Sequence, residues 1–520
     1  MYDMKSLLLV LVLGQAVLSV TAQTHKIEHV VVLMLENRSF DHLLGFLKQS
    51  MPDLDGLDGD ETNPVDPTDP TSGTVQVSQD AEFIIHGDPS HSHSSTDQQQ
   101  YGYGDPTEPA PMSGFVKSYE ENSNNDGSDI MKCFAPEKLE TLTALAQEFG
   151  VIDNWFSSIP GPTQVNRMYI HSATSQGTDH NPSNKKYAAG FTQESIFRLM
   201  SDNNHTWRCY FAEAPSMIIM RDTREPRYWK NYRPMEMFEK DCMEGNLPDY
   251  TWVEPRWFDW LYNFPASDEH PPHDVKFGEY LVAHIYKKLR AGPKWNSTLF
   301  LVTYDEHGGF YDHVSPPQSG VPNPDGLVAE DGFDFTRLGV RVPAVVASPY
   351  IKPGTVFHGA PTSASPTATS QFDHSSLPAT LKKLFNLPKF LTERDAWANT
   401  FDFVVDDLDE PRTDCPTTLP TPPRRTQSYD EWEAALVQGP TEENIRKGIE
   451  HGGISREPVT ELQEEILAMI SGAAAFGDGE ELEKRIQTIE NLGTEYEAAE
   501  YAREATATFL RRLRERAGEE

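Results

Sequence analysis

Two short segments of this chain combine carboxylates with an amide or a histidine, and each follows an apolar run. Residues 303–314 contain the paired acids Asp305 and Glu306, then His307, then two glycines. Paired acids at the end of a buried strand are costly to bury unless a cation offsets their charge. The glycines let the backbone turn sharply and approach a ligand closely. This pattern is typical of the rim of a metal-assisted hydrolytic site.

The second segment lies far away in the sequence. Residues 29–35 form an apolar run that is typical of a strand buried on both faces, and Glu36 and Asn37 follow it directly. Open α/β sheets place ligand sites at the carboxyl ends of their strands, so two such ends can converge. Glu36, Asn37, Asp305 and Glu306 would then form an oxygen-rich ligand set for a hard divalent cation. Either segment alone is explained equally well by a helix cap or a solvated turn, but together they favour the metal site.

A third segment places a hydroxyl group after a rigid turn. Residues 160–162 are Pro-Gly-Pro, and Thr163 follows them. If a helix begins here, its free backbone N–H groups and its dipole favour an anion such as phosphate. Thr163 is then a candidate metal-activated nucleophile. The alternative is that Thr163 is only an N-cap, which is the commonest role of threonine at such a position.

In combination, the motifs resemble the phosphoesterase family that contains bacterial phosphatidylcholine-hydrolysing phospholipases C, some acid phosphatases and the plant non-specific phospholipases C. The plant branch is the nearest match. The resemblance covers residues 27–400 and weakens after residue 420. It implies an α/β fold, an α/β/α sandwich resembling the alkaline phosphatase superfamily, followed by a C-terminal helical extension. The motifs that carry it are residues 36–42, 160–167, 305–313 and 372–376.

The resemblance also implies roles for matching residues. Thr163 matches the nucleophile. Residues 88–91 are similar to the family's Asp-Pro-Gly-His segment, with serine in place of glycine, which makes His91 a catalytic candidate. Residues 268–274 are similar to another histidine-bearing segment, in which we favour His270 over His273. The metal-binding positions are matched by Glu36, Asn37, Asp305 and Glu306, and the substrate-binding candidates are Asn166, Arg167, His307 and His374.

The expected reaction is phosphoryl transfer through a covalent intermediate. A divalent metal would lower the pKa of the Thr163 hydroxyl, Thr163 would attack phosphorus, and His91 or His270 would protonate the leaving oxygen. A phospholipid would give diacylglycerol and a phosphorylated headgroup. Two alternatives stay open at this stage: an acid phosphatase acting on soluble phosphomonoesters, and a secreted binding protein whose site has decayed.

Length and charge limit the remaining interpretations. The chain has 520 residues, and because its motifs must meet at one site we expect one catalytic domain at 23–405 and a connector with helices at 406–520. The net charge of −36 argues against a nucleic-acid partner and against tight docking on anionic membranes. A phospholipid would be reached by peripheral membrane contact, through apolar loops or in zwitterionic surroundings.

The N-terminus resembles a secretory signal peptide spanning residues 1–22. Lys5 precedes an apolar stretch at 7–20, and small residues at 20–22 form a cleavage site. A signal anchor is the alternative. We therefore expect the protein in the secretory pathway or outside the cell. The four cysteines fit that compartment, and the sequence leaves their three possible disulfide pairings open.

The remaining elements are predicted more coarsely. Residues 50–130 are typical of long loops, in which His86 and His93 are interpreted as surface residues. Helices are expected at 138–149 and 277–289, a strand at 339–349, and a helix from 372 to 385 in which Asp373 is a cap or His374 points into the site. Thr460 and Gln463 form a capping-box pattern ahead of one helix, and residues 482–513 predict another. We expect the C-terminal helices to pack on the catalytic domain, with membrane or partner binding as the alternative.

Overall fold

The computed structural model of the protein describes residues 26–123, 125–261, 264–422, 441–451 and 453–519. The expected signal peptide lies outside these ranges, as do residues 423–440 of the connector that was predicted after residue 405. Within the described ranges, no helix is both long and apolar enough to cross a bilayer. The strands are β1 His29–Leu35, β2 Thr62–Pro64, β3 Thr74–Gln76, β4 Gly150–Ile152, β5 Trp155–Phe156, β6 Trp207–Phe211, β7 Tyr232–Pro234, β8 Tyr250–Val253, β9 Thr298–Tyr304, β10 Ala344–Ala347, β11 Thr355–Phe357 and β12 Phe372–Asp373.

Helices and long loops connect these strands. The α-helices are α1 Phe40–Leu44, α2 His93–Tyr101, α3 Phe115–Asn122, α4 Glu140–Glu148, α5 Thr163–Ser172, α6 Asn184–Ala189, α7 Ile196–Asp202, α8 Met235–Glu244, α9 Lys276–Ala291, α10 Ser376–Leu384, α11 Glu393–Trp397, α12 Glu442–His451, α13 Glu461–Ala475, α14 Gly479–Ile489 and α15 Glu495–Arg516. Short 3₁₀ helices lie at Gly45–Gln49, Gly127–Met131, Ser216–Ile219, Arg221–Arg224, Pro226–Asn231, Trp295–Ser297 and Asp402–Val405.

An eight-stranded sheet forms the centre of the fold. Its spatial order is β11-β4-β10-β9-β1-β8-β6-β7. Neighbouring strands pair in parallel except at β10, which runs antiparallel to β9 and to β4. The expected α/β fold is therefore confirmed, with a central, mostly parallel sheet and a helical C-terminal region.

Strands β1 and β9 lie side by side in the middle of the sheet. Every residue of both strands is buried, as the apolar run at 29–35 predicted for β1. The parallel register pairs His29 with Thr298 and runs on to pair Leu35 with Tyr304. The next residue of each strand, Glu36 and Asp305, therefore emerges at the same edge of the sheet.

The C-terminal helices pack on the catalytic region. Helix α13 is capped by Thr460 and Gln463 as predicted, and the Gln463 side chain donates a 2.8 Å hydrogen bond to the carbonyl oxygen of Trp257. At the start of α15, Glu495 accepts a 2.7 Å hydrogen bond from the backbone N–H of Asp259. These contacts fix the helices to the loop that follows β8.

Several predicted elements differ from the observed ones because tertiary contacts override local pattern. Residues 50–130 contain two short strands and helices α2 and α3, so they are not only loops. The expected helix at 482–513 is divided into α14 and α15. The predicted strand at 339–349 is only β10, and α10 begins at Ser376, after strand β12. The four cysteines, Cys133, Cys209, Cys242 and Cys415, are buried and free.

Candidate active site

Glu36, Asn37, Asp305 and Glu306 meet at the carboxyl edge of strands β1 and β9. All four side chains are fully buried. The backbone N–H of Asn37 donates a 2.9 Å hydrogen bond to Oδ1 of Asp305, so the two strand ends are joined directly. Asn37 has φ 53°, a left-handed conformation that an asparagine adopts more readily than most residues. This conformation turns the chain away from the strand immediately after Glu36.

The first glycine after His307 permits this arrangement. Gly308 has φ 63°, and a Cβ atom at this position would lie 2.1 Å from the carbonyl oxygen of Asn37. No side chain can be accommodated at that distance without moving one of the two strand ends. The Gly308 N–H also donates a 2.8 Å hydrogen bond to Oε2 of Glu306. The predicted sharp turn at this glycine is confirmed, and the close approach that it permits is to the backbone of Asn37; close approach to a ligand stays a prediction.

Thr163 is the first residue of helix α5, and Pro162 is its N-cap. The interpretation of Thr163 as an N-cap is therefore wrong, because a proline supplies that position and the threonine hydroxyl caps nothing. Instead, Oγ1 of Thr163 donates a 3.2 Å hydrogen bond to Oδ1 of Asn37. The hydroxyl thus points at the edge where the buried carboxylates converge.

Asn166 holds the turn that presents Thr163. Its Oδ1 accepts a 3.1 Å hydrogen bond from the N–H of Ile159, and its Nδ2 donates to the carbonyl oxygens of Gly161 and Pro162, at 2.9 and 3.2 Å. The side chain spans the Pro-Gly-Pro turn. Its described hydrogen bonds are all to the backbone of this turn, and contact with substrate stays a prediction.

The buried acids carry unpaired oxygens. Arg167 forms an ion pair with Glu36, donates to the carbonyl oxygen of Met34 at 3.2 Å, and lies over the ring of Trp257. Among the residues that the structure describes, no hydrogen-bond donor reaches Oε2 of Glu36, Oδ2 of Asp305 or Oε1 of Glu306.

Burial raises the pKa of Glu36 well above its usual value, Arg167 opposes that rise, and the nearby Asp305 adds to it. Buried carboxylate oxygens without donors are costly, and a hard cation satisfies them. The donor set therefore fits a divalent metal.

His91 and His270 face each other across Asp88. Their rings are 6.4 Å apart and nearly perpendicular, and Nε2 of His270 lies 3.7 Å from Oδ2 of Asp88. Nδ1 of His91 donates to the carbonyl oxygen of Pro89 at 2.8 Å, and Nε2 lies 3.4 Å from the amide nitrogen of Asn37. Burial alone would lower the pKa of His91, but Glu306 and Asp88 outweigh it and raise the pKa to about 10.

His273 has different partners, and the preference for His270 as the catalytic histidine stays a prediction. Nδ1 of His273 donates to Oδ1 of Asp268 at 2.6 Å, and its Nε2 lies 3.5 Å from Oε1 of Glu495. Its partners therefore tie the C-terminal helices to the segment before α9. Its pKa is raised well above the usual value, because these two carboxylates outweigh the effect of burial.

His307 and His374 contact the two acids at the end of β9, Glu306 and Asp305. His307 bonds Gln99 through Nε2, at 2.7 Å, and lies 3.3 Å from Oε2 of Glu306 through Nδ1. The indole N–H of Trp155 donates to Nδ1 of His374, so Nε2 carries the proton and donates to the carbonyl oxygen of Asp305 at 2.5 Å. Burial lowers the pKa of His374, which favours this neutral form. Direct contact of either histidine with substrate stays a prediction.

The interpretation of His93 as a surface residue is wrong. It begins helix α2, and its Nδ1 donates a 2.6 Å hydrogen bond to the carbonyl oxygen of Pro160, in the turn before Thr163. His86 is exposed, as predicted. The prediction of Asp373 as a helix cap is wrong, since Ser375 is the N-cap of α10.

Three further groups of acids and histidines come within 4.8 Å of one another and lie outside the predicted ligand set. They are Asp41 with Asp312 and His313, His93 with Asp179 and Asp331, and Asp259 with His273 and Glu495. In the first group, Arg341 bonds both aspartates, and His313 has a pKa raised to about 10, so protein cations already balance the charge.

Two residues near Thr163 carried no recognisable signal in the sequence. Gln164, the next residue of α5, is fully buried, and Glu465 comes from helix α13, some 300 residues away along the chain. Glutamine after a threonine is uninformative by itself, and a glutamate in an amphipathic helix is usually solvated. Only the tertiary packing brings them together.

Comparison with known proteins identifies similar chains. The model of the phosphoesterase family matches residues 27–388. The chain is 45% identical over 424 residues to non-specific phospholipase C6 of Arabidopsis thaliana, covering 79% of this chain and 80% of that protein. It is 25% identical over 420 residues to the non-hemolytic phospholipase C of Burkholderia pseudomallei, covering 70% and 56%.

Among solved structures, one similar chain is a protein in the alkaline phosphatase superfamily from Vibrio parahaemolyticus, at 12% identity and a TM-score of 0.27, covering 52% of this chain and 64% of that one. Another is a lipoteichoic acid synthase from Listeria monocytogenes, at 10% identity and a TM-score of 0.30, covering 60% and 86%.

Proposed function

The chain belongs to the phosphoesterase family, as its motifs predicted, and is a hydrolase of phosphoester bonds; we propose that it is a secreted phospholipase C that uses Thr163 as its nucleophile. The substrate class is glycerophospholipids, and the products are diacylglycerol and a phosphorylated headgroup. The observation that carries the proposal is the hydrogen bond from Thr163 to Asn37, at the edge where Glu36, Asp305 and Glu306 are buried with unpaired oxygens.

Glu36, Asn37, Asp305 and Glu306 would hold a divalent metal ion. Such an ion supplies Lewis-acid activation of a hydroxyl and neutralises charge on phosphoryl oxygens. Arg167 keeps Glu36 in place and partly offsets its negative charge. His374 and His307 hold the backbone of Asp305 and the side chain of Glu306.

Thr163 loses its hydroxyl proton to water and attacks phosphorus through Oγ1, forming a Thr163–phosphorus bond as the bond from phosphorus to the glycerol oxygen breaks. The free backbone N–H groups at the start of α5 stabilise the negative charge on the phosphoryl oxygens. His91, which its acidic neighbours keep protonated, gives its proton to the leaving glycerol oxygen. Water then cleaves the Thr163–phosphorus bond and releases the phosphorylated headgroup, with His91 or His270 accepting the proton.

Contact with the lipid surface is expected from exposed apolar residues. Leu327 and Val328 are 44% and 56% exposed, and Leu327 lies against Gly177 in the turn that follows helix α5. Side chains of this kind can enter a bilayer interface without any electrostatic attraction. A chain of net charge −36 requires such a route, because anionic lipids repel it.

An assay of the purified protein tests the proposal. Phosphatidylcholine vesicles and p-nitrophenyl phosphate are compared with and without a chelator. We expect diacylglycerol and phosphocholine from the vesicles and loss of both with chelator. Brisk release from p-nitrophenyl phosphate with no lipid turnover would instead identify an acid phosphatase. Phosphatidic acid with free choline would mean cleavage on the other side of phosphorus.

A further inference from the structure

Helix α13 of the C-terminal region lies in direct backbone contact with helix α6. A Cβ atom at Gly472 would lie 1.9 Å from the carbonyl oxygen of Ala188, so the two helices approach as closely as a glycine permits. The Gln463 side chain fixes the other end of α13 through its bond to Trp257. These two contacts hold α13 against α6 and the loop after β8, and so position the α13 side chains that face them.

Glu465 projects from that inner face towards the nucleophile helix. Its side chain is buried, and Oε1 accepts a 2.9 Å hydrogen bond from the hydroxyl of Tyr187 in α6. Among the described residues, Oε2 has no hydrogen-bond partner. The amide of Gln164 lies close enough to the carboxyl group to lower its pKa, although within the described part of the chain neither amide atom makes a hydrogen bond of good geometry.

Unpartnered polar atoms that face each other in a buried space indicate a missing ligand or water. Gln164 directly follows Thr163 in helix α5, so this pair of buried polar groups lies one residue from the nucleophile along the chain.

The electrostatic surroundings of Glu465 also connect it to the site. Burial raises its pKa to about 8, while Tyr187, Gln164 and the charge of His91 act in the opposite direction. The positive charge of His91, which lies close to Asp88 and Asn37, therefore also acts on the Glu465 carboxyl group. The largest influences on its pKa come from burial, Tyr187, Glu461, Gln164 and His91, and not from a lysine or arginine. A cation beside Oε2 would favour the ionised form of this carboxyl group, whose other oxygen Tyr187 already holds.

We propose that Glu465, with Gln164 beside it, binds the cationic ammonium group of the phospholipid headgroup, so that the C-terminal region supplies the residue that selects the substrate. This inference rests on the proposed function. In cleavage on the glycerol side, the headgroup stays attached to phosphorus while phosphorus is bonded to Thr163. A group that holds the ammonium therefore acts through both chemical steps. Ethanolamine and choline headgroups carry this charge, and a glycerol headgroup does not.

The test compares three lipids on one variant and one matched control. Glu465→Gln keeps the shape of the side chain and removes the charge, and Glu464→Gln makes the same change at the exposed neighbouring position. Each protein is assayed on vesicles containing phosphatidylethanolamine, phosphatidylcholine or phosphatidylglycerol. Because a neutral glutamine loses the charge attraction between a carboxylate and a cationic headgroup, we expect Glu465→Gln to lower kcat/KM about tenfold or more for the two amine lipids. Phosphatidylglycerol hydrolysis by Glu465→Gln, and all three activities of Glu464→Gln, should stay near wild type.

An equal loss on all three lipids would assign Glu465 a structural role only, and unchanged selectivity would remove it from the headgroup site; either result overturns the inference. If the wild-type protein hydrolyses no phospholipid, the proposed function fails, and the headgroup role fails with it. Should Glu465→Gln not fold, calorimetric titration of the wild-type protein decides the question. Phosphoethanolamine should bind more tightly than glycerol 3-phosphate, and equal affinity would contradict the inference.

Discussion

The hydroxyl of Thr163 donates a 3.2 Å hydrogen bond to the side-chain oxygen of Asn37, whose backbone N–H in turn bonds Asp305 at 2.9 Å. One asparagine thus connects the first residue of a helix with the ends of two neighbouring strands. Its left-handed backbone is what allows its amide side chain and its N–H to reach both partners. The position of Asn37 therefore fixes the Thr163 hydroxyl relative to the buried acids.

Replacing Gly308 should disturb Asn37 and remove activity. In Gly308→Ala the new Cβ would meet the Asn37 carbonyl oxygen at 2.1 Å, so the two strand ends must separate. Because a displacement of about 1 Å at a reacting group can cost about 100-fold, we expect a loss of kcat/KM of that order. Gly326→Ala is the matched control, since Gly326 also has a positive φ but nothing within 4 Å of a new Cβ. Equal losses in both variants would mean that backbone strain, and not contact with Asn37, is responsible.

Removing one predicted ligand should remove the metal. Asp305→Ala deletes an oxygen ligand and leaves the Asn37 N–H without its acceptor. We expect elemental analysis of the purified protein to show a large loss of bound divalent metal, together with loss of activity. Asp53→Asn, at an exposed position, should keep both. Full metal content in Asp305→Ala would show that the metal, if any, binds elsewhere.

The free energy of unfolding should depend on pH through the contacts of His313 with two aspartates. Its Nδ1 bonds Asp41 at 2.7 Å, and its Nε2 lies 3.3 Å from Asp55. Burial lowers its pKa, but these carboxylates outweigh burial and raise the pKa to about 10 from an ordinary 6.5. Because the folded-state pKa is the higher one, the stabilisation is complete below pH 6.5 and is lost as pH rises through 10.

His313→Gln should therefore lower the free energy of unfolding by about 1 to 3 kcal/mol at low pH, as expected for a hydrogen bond between charged groups. Denaturant titrations at about pH 6 and about pH 10.5 measure the difference, which should shrink at the higher value. His86→Gln, at an exposed position, should show no such dependence. A cost of His313→Gln that is the same at both pH values would contradict a charged His313.

Much of this site could be predicted from the sequence because its parts are local. The apolar run before Glu36, the run before Asp305 and the Pro-Gly-Pro turn each predict one element, and parallel strands bring their ends to one edge. The side chains that contact one another around the site could not be predicted. Tyr187, Gln164 and Glu465 meet only because α13 packs on α6, and nothing in their local sequence encodes that contact. His93 looked like part of a polar loop because its helix depends on the turn at Pro160.

The rate of phospholipid hydrolysis should fall as the vesicle surface becomes more negatively charged. The net charge of −36 predicts repulsion from anionic surfaces, so adding phosphatidylserine to phosphatidylcholine vesicles should slow hydrolysis. Raising the salt concentration should restore part of the rate, because exposed charges are screened over about 10 Å at 0.1 M ionic strength. A soluble substrate assayed in parallel controls for salt effects on the chemistry. Faster hydrolysis with phosphatidylserine would indicate a basic docking surface that the overall charge conceals.

The most direct test of the account is to trap the covalent intermediate. The wild-type protein is quenched in acid during turnover of phosphatidylcholine, digested, and its peptides are analysed by mass spectrometry. We predict a phosphocholine adduct on Thr163, since the headgroup stays on phosphorus after the glycerol oxygen leaves. Thr163→Ala should remain folded, lack the adduct and hydrolyse no lipid. Turnover by Thr163→Ala above a few per cent of the wild-type rate, or an adduct on another residue, would contradict the assignment of Thr163 as the nucleophile.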